Sequence, residues 1–183
     1  MKTLAITPLA VEPDFDFSIF LFLAQMDEIG PQEMHSVLNT WEKWLPHLKI
    51  YKLGERKEHV AIFLEEPVER EVDAIWQDSP SEGFKHEAIA QTMIMGTLKM
   101  LMPELGEKEC APVPEPTKPI RRTLERIGLV MQDSGALSRK YSTITPYPHR
   151  YGCERCYLKD SCVKNMNLDM RSILAGREGS AEA

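Results

Sequence analysis

Three cysteines close together near the C-terminus, with a fourth far upstream, constrain this 183-residue chain more than any other feature. Cys153, Cys156 and Cys162 have the spacing C-x2-C-x5-C, and Cys110 lies 43 positions before Cys153. Four thiols in this pattern suit a thiolate-bound metal centre. The sequence therefore predicts a C-terminal cysteine-rich module that is held together by one metal centre.

The asymmetry of the cysteines favours an iron–sulfur cluster over zinc. Zinc sites usually combine two C-x2-C pairs, or one such pair with two histidines. This chain has a single C-x2-C and a lone distant cysteine, so we expect a 4Fe–4S cluster bound by Cys110, Cys153, Cys156 and Cys162. Zinc is the alternative metal, and cysteines that bind no metal or form disulfides are the third interpretation. His149 is the alternative ligand if Cys110 is a plain buried thiol.

The segment from Cys153 to Cys162 resembles the C-x2-C-x5-C half of the 4Fe–4S module of RecB-like nucleases, including the CRISPR-associated ones. In that group a cysteine far upstream supplies the fourth ligand, which is the place that Cys110 would take here. Endonuclease III glycosylases have a similar triplet, but their fourth cysteine falls where this chain has Pro146. In nitrogenase molybdenum-donor proteins it falls where this chain has Pro148. The resemblance covers about ten residues and one cysteine, and it implies a cluster.

The catalytic core that often accompanies this module is not seen in the sequence. Such a core needs an aspartate on one strand and an acidic-x-Lys pair on the next, whereas the predicted strand at 60–64 leads into Glu65-Glu66-Pro67. No GxGxxG, GxxxxGK or GxSxG motif is present either. The sequence therefore favours an accessory subunit with a structural, electron-transfer or redox-sensing cluster over an enzyme that acts alone.

Charge is divided unevenly along the chain. Residues 1–117 carry 10 Lys and Arg against 21 Asp and Glu, whereas residues 118–172 carry 11 against 5. Two interpretations stay open: the halves attract each other, or the basic end contacts phosphates of a nucleic acid while tyrosines stack on its bases. The side chains available for that contact are Arg121, Arg122, Arg126, Arg139, Lys140, Arg150, Arg155, Lys159, Tyr141, Tyr147 and Tyr151. A protein partner, docked through the methionine-rich helix and the basic end, is a further expectation.

The chain has no sequence signal for a membrane or for secretion. No apolar run approaches the roughly 18–20 residues that span a bilayer. The N-terminus is too weakly apolar for a secretory signal. We therefore expect a cytoplasmic protein, in a compartment where clustered thiols bind metals more often than they form disulfides.

Hydrophobic periodicity predicts an α+β fold that is mostly helical and has one small β-hairpin, at 48–53 and 60–64. Residues 1–13 are expected to be an extended lead-in and 143–151 to be irregular, because prolines interrupt both. Predicted helices lie at 14–29, 31–45, 65–76 and 81–102, from Pro119, and after Cys162. The predicted regions are an acidic body at 1–103, a proline-rich linker at 104–119, a basic cysteine module at 120–176 and a flexible tail at 177–183.

Overall fold

The computed structural model describes residues 3–55, 59–105, 110–149 and 152–162. Within these ranges the protein is a mixture of helices and one antiparallel sheet, which confirms the broad fold class. The helices are α1 (Phe17–Ala24), α2 (Pro31–Trp44), α3 (Glu66–Asp78), α4 (Pro80–Leu101) and α5 (Lys118–Glu125). The strands are β1 (Ile6–Pro8), β2 (Leu48–Leu53), β3 (His59–Leu64) and β4 (Ser142–Pro146).

The predicted hairpin is confirmed, but it is the centre of a larger sheet. Strands β2 and β3 pair antiparallel with Ile50 opposite Ile62, and the order across the sheet is β1-β2-β3-β4. The lead-in is extended at 6–8, as expected, and there it pairs with β2 as an outer strand. The expectation of an irregular segment at 143–151 was wrong at 143–146, which belong to the other outer strand, β4. Both strands are short and end in a proline, so their pairing with the hairpin, rather than their own pattern, makes them strands.

Strand β3 is buried on both faces of the sheet. Val60, Ile62 and Leu64 are wholly inaccessible and join the core under α1–α4. Ala61 and Phe63 alternate with them and join a second core on the opposite face. A strand that reads as one continuous apolar run is typical of a sheet covered on both sides. The protein therefore has a helical layer, a sheet and a second covering layer.

The ends of α1 differ in how well the sequence predicted them. Asp16 caps the helix, because its carboxylate accepts a hydrogen bond from the Ile19 N–H at 3.1 Å. The helix ends at Ala24 instead of near Ile29, because Gln25 adopts a left-handed conformation with φ +53°. Such a residue closes a helix.

Ser79 and Pro80 form the start of α4. Ser79 is the cap, and its hydroxyl accepts a hydrogen bond from the Glu82 N–H at 3.5 Å. Pro80 occupies the first helical position, where its missing N–H costs no hydrogen bond. The long helix therefore begins slightly before the predicted residue and packs along α1, α2 and α3.

The second covering layer consists of α5 and the irregular segments on either side of it. Ile120 and Leu124 of α5 pack with Leu53 of β2 and Ile144 of β4 in one buried cluster. The sheet thus combines three strands from the predicted acidic body with β4 from the predicted cysteine module. The predicted boundaries of these regions stay predictions. The helix expected after Cys162 and the tail at 177–183 lie outside the described residues.

Candidate metal centre

The three C-terminal cysteines lie on two consecutive 3₁₀ turns that repeat one backbone pattern. The turn at Cys153–Arg155 leads into Cys156, and the turn at Lys159–Ser161 leads into Cys162. In each case the N–H of the closing cysteine donates to the carbonyl oxygen three residues back, at 3.2 Å and 3.4 Å. The two closing cysteines have nearly identical backbone angles, φ −73° and ψ 126° against φ −74° and ψ 123°. Cys156 and Cys162 therefore have nearly the same local backbone conformation.

The proline-rich segment contacts the first of these turns. The Val113 N–H donates to Cys156 Sγ at 3.4 Å, and the Tyr157 N–H donates to the Val113 carbonyl oxygen at 2.8 Å. Hydrogen bonds to ligand sulfurs are among the means by which proteins adjust iron–sulfur sites. Val113 thus presents the kind of donor to Cys156 that a cluster ligand receives.

Val113 also limits how far Cys110 can lie from the turns. The three-residue step from Cys110 to Val113 spans at most about 11 Å, even when fully extended. The structure therefore brings the segment that carries Cys110 beside Cys156, although the two cysteines are 46 positions apart in the sequence. Cys110 and Cys153 are exposed, and Cys156 and Cys162 are partly buried.

The turn around Gly135, within residues 131–137, supports this arrangement. A Cβ on Gly135 would lie 3.0 Å from Val113 Cγ1 and 3.6 Å from the Tyr157 ring, and Gly135 has φ +83°. The Tyr157 hydroxyl donates to the Asp133 carbonyl oxygen at 3.0 Å. This glycine is required by the backbone angle, and the Val113 side chain also leaves little room for a Cβ there.

The four cysteines suit a metal centre by the chemistry of their thiols, but the structure does not gather three or more of their sulfurs into one site. All four cysteines are thiols. Among the described residues, which include all four cysteines and His149, no three His, Cys, Asp or Glu side chains are arranged to hold a metal ion. Metal sites commonly take their final geometry as the metal binds. The ligand set and the alternative role of His149 both stay predictions.

Two basic residues of the C-terminal half form ion pairs with the acidic helix α3. The sequence alone did not decide whether such residues pair within the chain or contact a nucleic acid. Arg139 Nη1 lies 3.2 Å from Glu69 Oε2, and the Lys140 N–H donates to Glu69 Oε1 at 2.6 Å. Lys140 Nζ lies 3.7 Å from Asp73 Oδ1 and 3.6 Å from Glu87 Oε2. At these residues the halves attract each other, so Arg139 and Lys140 contact carboxylates of the chain itself.

Tyr141 follows these two cations and is 3% exposed. Burial raises the pKa of its phenol above the ordinary value, and the carboxylates of Glu87, Asp73 and Glu69 raise it further. A ring buried to this extent cannot stack on a base, so the nucleic-acid hypothesis loses Tyr141. Arg150 and Tyr151, two other members of that predicted surface, lie outside the described residues.

No protein-family model matches the chain, and comparisons with curated proteins and with solved structures found no match either. The likeness to the RecB-like cluster module therefore stays a resemblance over about ten residues and one cysteine. Among the described helices, none is both long enough and apolar enough to cross a membrane.

Proposed function

We propose that this protein binds a 4Fe–4S cluster through Cys110, Cys153, Cys156 and Cys162, and that it works as a small electron-transfer, redox-sensing or structural subunit. The observation that carries the proposal is the hydrogen bond from the Val113 N–H to Cys156 Sγ. It joins the segment bearing the remote cysteine to the C-x2-C pair, and it supplies a donor of the type that cluster sulfurs accept.

Residues around the turns have roles that follow from their chemistry. A bound cluster supplies one-electron transfer. The Tyr157 ring and the Leu158 side chain approach Gly135, so this side of the cysteine turns packs on the turn at 131–137. Each of the two turns carries one basic and one acidic side chain, so together they add no net charge to that of the thiolates.

The exposure of two proposed ligands favours a cluster that exchanges electrons with a partner protein over one that only stabilises the fold. Cys110 and Cys153 are exposed, so part of the proposed centre lies at the surface. A redox centre near the surface can exchange electrons with a docked protein. We therefore propose a protein partner. The alternative is a zinc-stabilised adaptor or nucleic-acid-associated protein that uses the same four sulfurs.

Purification without air, followed by metal and sulfide analysis, tests the proposal. We expect a brown protein with about four iron and four sulfide per chain, and with an electron paramagnetic resonance signal after reduction. A colourless protein with one zinc supports the alternative. A chain with neither metal contradicts both.

Ligand substitution tests which side chains bind the cluster. We expect Cys110→Ser to lower the iron content to less than half, because a cluster with three thiolates is readily lost. His149→Gln is the matched control, and it should leave the iron content and the visible absorption unchanged. The opposite result, with Cys110→Ser intact and His149→Gln depleted, would assign the fourth ligand to His149.

A further inference from the structure

We infer that the backbone N–H of Val113 is a positioning group for the metal centre: it donates to a ligand sulfur, and it fixes the segment that carries Cys110. This inference rests on the proposed function and deepens it by naming a residue that acts on the centre without being a ligand. Its basis is geometry found in the described residues.

Both backbone polar groups of Val113 are used. Its N–H donates to Cys156 Sγ at 3.4 Å, and its carbonyl oxygen accepts from the Tyr157 N–H at 2.8 Å. These bonds run in opposite directions between the same two segments. Together they fix the position of Val113 along the cysteine turn as well as its distance from it.

The residues on either side of Val113 cannot donate in its place. Pro112 and Pro114 flank Val113, and proline has no backbone N–H. If the segment slipped by one residue in either direction, Cys156 Sγ would face a residue that cannot donate. The Pro-Val-Pro pattern therefore places a single donor within three residues, and that donor lies opposite the sulfur.

Packing holds the donor in place. Pro112 and Pro114 are buried, and the Val113 side chain approaches Gly135 so closely that a Cβ there would lie 3.0 Å from it. A residue before proline is also restricted to extended conformations, which applies to Val113. These contacts hold the Val113 N–H in a fixed orientation toward Cys156 Sγ.

The donor has a defined chemical effect. An N–H dipole directed at a thiolate stabilises its negative charge, which favours metal binding and the more negative reduced state of a cluster. Loss of the donor should therefore weaken metal binding and shift the reduction potential to more negative values. Outer hydrogen-bond partners of ligands typically change metal affinity about 10- to 100-fold.

Two substitutions at this position separate the N–H from the side chain. Val113→Pro removes the N–H and keeps an apolar side chain, whereas Val113→Ala keeps the N–H and removes most of the side chain. Cobalt(II) is the probe of affinity, because its thiolate complexes absorb in the near ultraviolet. We expect Val113→Pro to bind cobalt about 10- to 100-fold more weakly than wild type. The reduction potential of its reconstituted cluster should fall, while Val113→Ala stays near wild type on both measurements.

A measurement on the wild type covers the case in which Val113→Pro does not fold. In the zinc-loaded protein the Val113 amide should exchange with solvent more slowly than in the metal-free protein, because the donor is held by the ligand sulfur. Rapid exchange in both forms overturns the inference. Equal affinity and potential in Val113→Pro and Val113→Ala overturn it as well, while leaving the proposed function intact. A wild type that binds neither cobalt nor an iron–sulfur cluster overturns both.

Discussion

Tyr141 combines a buried hydroxyl with surroundings that oppose its ionisation. The ring is 3% exposed, and the hydroxyl has no hydrogen-bond partner within the described part of the chain. Burial and three nearby carboxylates raise the pKa of the phenol, so the side chain stays neutral well above pH 10. A desolvated hydroxyl that makes no hydrogen bond lowers the stability of the native state.

We predict that Tyr141→Phe raises the free energy of unfolding by about 1 kcal/mol, because it removes that desolvated group and keeps the ring. The contrasting variant is Tyr157→Phe, whose lost hydroxyl donates to the Asp133 carbonyl oxygen. It should lower stability by about 0.5–1 kcal/mol. Urea unfolding of the two variants checks the opposite signs. A loss of stability in Tyr141→Phe would mean that its hydroxyl is hydrogen-bonded.

Asp16 links the cap of α1 to acid stability. The hydrogen bond from the Ile19 N–H, and then the ammonium of Lys99 at 2.9 Å, lower the pKa of the Asp16 carboxyl below 3.8. A depressed pKa stabilises the fold above the unfolded value, and this contribution is lost as pH falls through the folded value. Asp16→Ala should lose about 1 kcal/mol at neutral pH.

Asp16→Asn separates the charge from the cap. Asparagine caps helices about as well as aspartate, so the variant should retain the cap and lose the interaction with Lys99. Its melting temperature should then fall less steeply than that of wild type between pH 4 and pH 2. Parallel pH profiles for the Asp16→Asn variant and the wild type would remove Asp16 as a cause of acid unfolding.

At the scale of elements, two glycines of α4 differ in what surrounds them. A Cβ at Gly83 would lie 2.5 Å from the Trp76 ring and 2.9 Å from the Trp76 Cα, so α3 and α4 touch there. A Cβ at Gly96 would lie 3.7 Å from the nearest atom, the Asp14 carbonyl oxygen, which is ordinary contact. Only the first glycine is required by packing.

The pair gives a prediction of opposite signs. Gly83→Ala should destabilise the protein by about 1–3 kcal/mol, because the two helices must separate. Gly96→Ala should stabilise it by about 0.5–1 kcal/mol, the ordinary gain from replacing a helical glycine. Thermal unfolding of both variants in one buffer checks this. Similar effects of both substitutions would contradict the close approach of α3 to α4.

The sequence predicted the elements whose own residues carry a local signal, whether they are long, as α4 is, or short, as α5 is. α2, α3 and α4 carry periodic apolar residues and begin at prolines or caps, and β2 and β3 are apolar enough to be recognised alone. β1 and β4 are three and five residues long, and only their partner strands define them. Strand pairing between distant segments leaves no periodic signal in either one.

In the candidate site, too, local sequence patterns were recognised and contacts between distant segments were not. Local spacing singled out Cys153, Cys156 and Cys162, whereas Cys110 was added because it is the remaining cysteine of the chain. The contact between Val113 and Cys156 joins positions 43 residues apart and uses backbone atoms, which no residue type reveals. The Pro-Val-Pro pattern is the one sequence signal that marks Val113, since it isolates a single N–H donor.

At the scale of the whole molecule, the uneven charge distribution takes part in holding the layers together. Arg139 of the C-terminal half contacts Glu69 at 3.2 Å and Glu66 at 3.6 Å, both on α3. Residues 118–172 are net basic and residues 1–117 are net acidic, so the contacts join halves of opposite charge. This pairing accounts for part of the basic surplus without a nucleic acid.

We predict that Arg139→Gln lowers the free energy of unfolding by about 1–2 kcal/mol, because Glu69 is only 15% exposed and loses its guanidinium partner. The effect should shrink as salt rises from 0.1 M to 1 M, since the screening length falls from about 10 Å to about 3 Å.

The matched control is Lys43→Gln, which breaks a pair with Glu71 inside the acidic half, where the Lys43 side chain is 63% exposed. That variant should lose less than about 1 kcal/mol. Urea unfolding at both salt concentrations gives the comparison. A loss that is as large for Lys43→Gln, or that does not change with salt for Arg139→Gln, would mean that attraction between the halves does not stabilise the fold.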